Sequence, residues 1–133
     1  MLQLLDNPVW QALNSADCRF NLGDNVAGYF PEAVSPFAAL PEWTPEMQSI
    51  LYDRLPAERS WSVVIKDPVE FAAEWELKFT TSLYQMICHK LIPIQLDTID
   101  CRPLDISHVP DMLALTALTK PGPFAERTTQ RLR

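Results

Sequence analysis

The fold of this chain turns on one stretch, PLDISHVPDMLALTALTKPGPFAERT, residues 103–128. Its first half predicts a helix. Ser107 is a good cap, and Pro110 in the first turn costs nothing, because the amide it lacks would have no partner there. Asp111 adds negative charge near the helix start, where the macrodipole favours it. Over 109–119 (VPDMLALTALT), Val109, Met112, Leu113, Leu115, Ala117 and Leu118 cover more than one face. That pattern predicts a helix buried on two sides. Lys120-Pro121-Gly122-Pro123 then stops it abruptly. A cation sits at the negative helix end, followed by two prolines around a glycine that tolerates positive φ.

Upstream, residues 3–15 (QLLDNPVWQALNS) predict a short helix starting after Asp6 or Asn7, with Pro8 in the first helical position. Residues 18–30 (CRFNLGDNVAGYF) predict a hairpin, CRFNL and VAGYF being the arms and GDN the turn. Pro31, Pro36, Pro41 and Pro45 make regular structure unexpected over 31–45. Thr44 is a good N-cap before 45–55 (PEMQSILYDRL), which predicts a helix carrying Met47, Ile50, Leu51 and Leu55 on one stripe. Residues 60–66 (SWSVVIK) predict a buried strand, and EWELKFTTS within 74–90 alternates like another. Residues 83–90 continue it or form a further strand, with helix as the second choice. Ile99–Leu104 predicts a strand before the 109–119 helix.

Hydrophobic residues are 47% of the 133 and charged residues 21%, as in an ordinary globular domain with a real core. The formal charge of −6 argues against nucleic acid, which needs clustered cations. Arg127, Arg131 and Arg133 are the one positive cluster and are expected to form a solvated tail. Twelve prolines accompany only three glycines, Gly23, Gly28 and Gly122, so neither G-x-G-x-x-G nor G-x-x-x-x-G-K-[ST] occurs. No apolar run approaches the ~20 residues a membrane span needs. The N-terminus, MLQLLDNPVWQAL, has no basic region of the signal-peptide kind. With three widely spaced cysteines (Cys18, Cys88, Cys101), a cytoplasmic protein with reduced thiols is the expectation.

Candidate chemistry outside 103–128 is sparse. Cys88, His89, Cys101 and His108 lack the paired spacing of zinc ligands, so no metal is expected. Cys88 and Cys101 are expected as small buried thiols, His89 at the surface and His108 at a helix start. The acidic positions Asp97, Asp100, Asp105 and Asp111 lack the alternation and glycine of a calcium loop, leaving turn and cap duty for Asp105. Trp10, Trp43, Trp61 and Trp75 are expected to pack.

The string at 103–128 resembles the opening of the acetyltransferase domain in a bacterial group of GNAT-family N-acetyltransferases. Members begin that domain with a strand, an L-x-x-x-D/H-x-P-x-M-L-A-L helix and a T-K-P-G-P-F-x-x-R-T loop. The match rests on His108, Pro110, Met112, Leu113, Ala114 and Leu115, then Thr119 to Phe124, and Arg127-Thr128. NPVWQAL (7–13), PEAVSPFAAL (31–40), Trp75-Glu76-Leu77 and Gln85-Met86 resemble that group's N-terminal extension by order and spacing.

The resemblance implies transfer of acetyl from acetyl-CoA to a small amine or a peptide. It implies that Lys120, Pro121, Gly122, Pro123 and Phe124 line the rim of an acceptor pocket. Family members hold the acetyl-CoA pyrophosphate on a Q/R-x-x-G-x-G/A segment at a helix N-terminus, downstream of this loop. These 133 residues contain no such segment and end nine residues after Phe124. The expectation is therefore an N-terminal portion that binds no acetyl-CoA by itself and is inactive alone, its catalytic residues unknown. A fragment, a truncated gene or a cofactor-free role would each account for this. The alternative is a non-catalytic interaction or dimerisation module, a homo-oligomer pairing through an exposed apolar patch or sheet edge.

The expected fold is α+β. Residues 1–92 form an N-terminal unit, a small mixed or antiparallel sheet with flanking helices. Residues 93–133 supply the first strand and helix of a GNAT-like domain, cut short. Val109, Leu113 and Leu118 are expected to pack on the 60–66 and 74–86 strands.

Overall fold

The computed structural model describes residues 5–93 and 100–132. Positions 3 and 4 of the first helix reading, Ile99 of the Ile99–Leu104 strand reading and Arg133 of the basic tail lie outside them. Among the described residues the chain combines three α-helices with a two-stranded antiparallel sheet, a mixed α and β architecture. The helices are α1 (Pro8–Leu13), α2 (Pro45–Arg54) and α3 (Val109–Thr119). The strands are β1 (Gly28–Tyr29) and β2 (Ala38–Ala39), with Gly28 opposite Ala39 and Tyr29 opposite Ala38.

The two-residue period of the strands divides the core. Ala39 faces a cluster with Val9, Leu13, Phe20, Phe30 and Val34, which α1 closes from one side. Its neighbour Ala38 faces Ala27, Leu40 and Leu51, which α2 closes from the other. Leu51 is wholly buried, a contribution of about 2 kcal/mol from removing its side chain from water. Thr44 caps α2 by accepting from the Met47 amide, and Met47, Ile50, Leu51 and Leu55 share its core stripe. All four tryptophans pack against these two clusters.

One polar residue in the core carries no sequence signal. Gln48 is fully buried on α2. Its Nε2 donates to the Glu70 carbonyl at 3.0 Å and the Trp43 carbonyl at 3.3 Å, and its Oε1 accepts from the Ala72 amide at 2.9 Å. A single side chain thereby fastens 70–72 to α2.

The strand readings need correction. The 18–30 hairpin keeps its turn: Asp24 accepts from the Val26 and Ala27 amides, and Leu22 donates to the Tyr29 carbonyl at 3.0 Å. Its first arm instead tightens into a 3-10 turn, Cys18–Phe20, which buries Phe20 and leaves Leu22 exposed. VAGYF does contain a strand, but its ladder partner is β2, inside the proline-rich loop where no regular structure was expected. Pro36 and Pro41 limit that loop to a short ladder, because neither can donate.

For the same reason 60–66 is not a strand. Only Ser62 pairs, bridging parallel to Phe37, and 60–66 is half-buried rather than buried. No strand forms over 74–90 or 100–104 either, and 76–93 runs without helix or ladder. Alternation is present there, but a strand needs a neighbour to complete its hydrogen bonds.

Helix α3 also departs from expectation. Val109 is its one buried residue, while Leu115 and Leu118 are exposed, Leu118 at 82%. With no ladder over 60–66 or 74–86, Leu118 has no sheet to pack on.

Candidate functional site

Helix α3 and the loop after it organise the region of the resemblance. Before α3 a 3-10 turn spans Ile106–His108. Asp105, rather than Ser107, is the capping side chain. Its Oδ1 accepts from the Ser107 amide at 2.9 Å and the Ser107 hydroxyl at 2.6 Å. These two bonds, the hydroxyl first, hold its carboxyl below the ordinary value of 3.8. His108 completes the box by accepting the Asp105 amide on Nδ1 at 3.1 Å.

At the far end Lys120 adopts the left-handed conformation, φ 48° and ψ 51°, and its amide donates to the Thr116 carbonyl at 2.8 Å. That is the usual helix-ending geometry with lysine where glycine is ordinarily found. Gly122 has φ 140°, which only glycine adopts freely. Lys120, Pro121, Gly122 and Pro123 are exposed, and Phe124 is half-buried.

Beyond the loop the chain returns to the segment between β1 and β2. The Arg127 amide donates to the Ala33 carbonyl at 2.8 Å, and the Thr128 hydroxyl donates to the Val34 carbonyl at 2.8 Å. The same hydroxyl accepts from the Ala125 amide. Arg131 pairs with Asp17 and lies over the Phe30 ring at 4.6 Å. At Arg131 the solvated-tail reading is thus corrected, while the Arg127 side chain is exposed. Asp17 is buried, and the cluster centred on Phe30 offers a flat apolar surface for the guanidinium.

Between α3 and this returning turn lies an open groove of about 440 Å³. One wall is apolar, from Ile106, Val109, Pro110 and Leu113; the other carries Glu126, Arg127 and Gln130. Arg127 Nε donates to Gln130 Oε1 at 3.0 Å, so the Arg127 head is held by its neighbour. The loop Lys120–Phe124 joins the two walls in sequence without itself lining the groove. Glu126 and Gln130 were not candidates from sequence. The spacing of Phe124 to Arg127-Thr128 was the available signal, and its structural content is the docking bonds just described.

The starts of α2 and α3 disfavour anions. Pro45 and Glu46 open α2, and Pro110 and Asp111 open α3 behind the Asp105 cap. Each start therefore lacks an amide at its proline and carries carboxylates, the opposite of a phosphate cradle.

Cys88 and Cys101, expected as buried thiols, are exposed, as is Cys18. The segments holding Cys88 and Cys101 have no ladder and so no core to bury them. Among the described residues no three His, Cys, Asp or Glu side chains gather as metal ligands. No described helix is long and apolar enough to cross a membrane. No protein-family description, curated protein or solved structure matches this chain.

Proposed function

We propose that this chain is the acceptor-side, N-terminal part of a GNAT-type N-acetyltransferase. The acceptor would be a primary amine on a small molecule or peptide. The observation that carries the proposal is the folded form of the resembling string. Its helix stops at Lys120, its Pro-Gly-Pro loop is exposed, and its end lines an open groove with an apolar wall facing Glu126, Arg127 and Gln130.

Each part has a role in this reading. Val109, Pro110 and Leu113 take the alkyl portion of the acceptor, and the Glu126 carboxylate attracts its ammonium. Lys120 to Phe124 form the outer rim and restrict the approach. A volume of about 440 Å³ suits a ligand of modest size. Acetyl-CoA supplies an activated thioester acyl group in the family. The capped, proline-bearing and acidic helix starts here are unsuited to its pyrophosphate, so no acyl-transfer step is assigned to these residues.

Titration calorimetry of the full chain tests the reading. Hexylamine binds, Glu126→Gln weakens that binding about fivefold, and acetyl-CoA gives no heat of binding. Micromolar binding of acetyl-CoA, or indifference to hexylamine, contradicts it.

A further inference from the structure

Residues 76–93 present an unusual surface. The segment runs without helix or ladder and bends at His89-Lys90, and none of its main-chain groups bonds to another described main-chain group. Leu77, Phe79, Leu83, Ile87 and Leu91, of one parity and interrupted by Thr81, Gln85 and His89, are exposed apolar side chains, Phe79 at 77%, and Tyr84, Met86 and Ile92 of the other parity are exposed too. The row begins at Trp75, which is fixed against Tyr52 with ring centroids 5.4 Å apart. Lys78 and Gln85 tether the segment through Ser60 and the Leu5 carbonyl. The result is an anchored segment whose main-chain groups are unpaired, an arrangement that invites pairing with another segment.

We propose that this segment pairs antiparallel with the same segment of a second copy, with Leu83 opposite Leu83 on the two-fold axis. The charges select the partner and the register. In this register Glu76 faces Lys90 of the second copy, and symmetry repeats the pair, giving two opposite-charge cross-strand pairs. Phe79 then faces Ile87, and Trp75 faces Leu91, while Leu77 faces His89 and Thr81 faces Gln85 between them.

Neighbouring registers are worse. Displacing the partner so that Lys78 faces Lys90 sets like charges opposite one another, which is destabilising. The opposite displacement puts Phe79 against Gln85 and Leu83 against Thr81, and calls on Glu74, which is already bonded to Ser49 at 2.7 Å. A slip by one residue turns the apolar row to the other face. The proposal does not rest on the acetyl-transfer reading, because it involves neither α3 nor the groove.

Sedimentation of the full chain from low to several hundred micromolar tests the pairing. The expected result is a reversible dimer. Lys90→Glu or Glu76→Lys alone weakens it about tenfold, and the double exchange restores it. An equimolar mixture of the two single variants also restores it, because each glutamate then faces a lysine. Circular dichroism identical to the parent shows that each variant is folded. A monomer throughout the range overturns the proposal. So does a dimer indifferent to the exchanges, or one weakened by each single variant but not restored by mixing.

Discussion

Arg131 and Asp17 lie 114 positions apart in the chain, and Arg131 Nε donates to Asp17 Oδ2 at 2.9 Å. Asp17 is buried while Arg131 keeps part of its surface in water. The guanidinium also covers the Phe30 ring, so one side chain ties the C-terminal turn to the first core cluster. Arg131→Ala should cost about 1–3 kcal/mol, mostly from leaving the buried carboxylate unpaired. Chemical denaturation measures this. Asp17→Asn in the same background should recover part of the loss, because the stranded charge is then gone.

Gln48 carries a comparable weight. Gln48→Ala leaves the half-buried Ala72 amide without its acceptor and empties the space of a fully buried side chain. A loss of about 3 kcal/mol is expected in urea denaturation. Protection from hydrogen exchange should fall first over 70–75, the stretch that the side chain holds.

Lys120 points the other way. Its left-handed backbone strains any residue with a β-carbon, and Lys120→Gly should stabilise α3 by about 1 kcal/mol. Thermal unfolding reads the gain. The same substitution removes the rim cation, so an effect on amine binding without loss of stability separates the two roles.

Asp24 makes the turn before β1 sensitive to acid. The Val26 amide, then the Ala27 amide, and the Arg54 guanidinium hold its carboxyl below the ordinary 3.8. A lowered folded value means the contribution is complete above the unfolded value and is lost as pH falls through the folded one. Stability should therefore be flat in this respect from pH 7 to about 4.5 and fall below that. Asp24→Ala should abolish that part of the acid dependence while lowering stability at neutral pH.

Much of the helical half of the fold was legible. Pro8, Thr44-Pro45 and Pro110 mark helix starts by local chemistry, and α1, α2 and α3 begin beside them. Gly122 takes the positive φ that its place between prolines suggested. The strands were less legible, because pairing is a property of two segments. Residues 60–66 have strand-forming side chains, but Pro36 and Pro41 shorten the available partner to a few residues. The two-sided burial of α3 failed for the same reason. Leu115 and Leu118 are apolar, but no ladder forms beneath them. At the candidate groove, Arg127 and Thr128 were visible within the resembling string. Glu126 was not, since a lone carboxylate after a loop has no distinguishing pattern.

The most direct test of the acceptor-site reading is an amide-resonance NMR titration of the full chain with hexylamine. The account predicts saturable shifts confined to Ile106, Val109, Leu113, Glu126, Arg127 and Gln130, lost in Glu126→Gln. Shifts spread evenly over the molecule, or centred away from the groove, would contradict it.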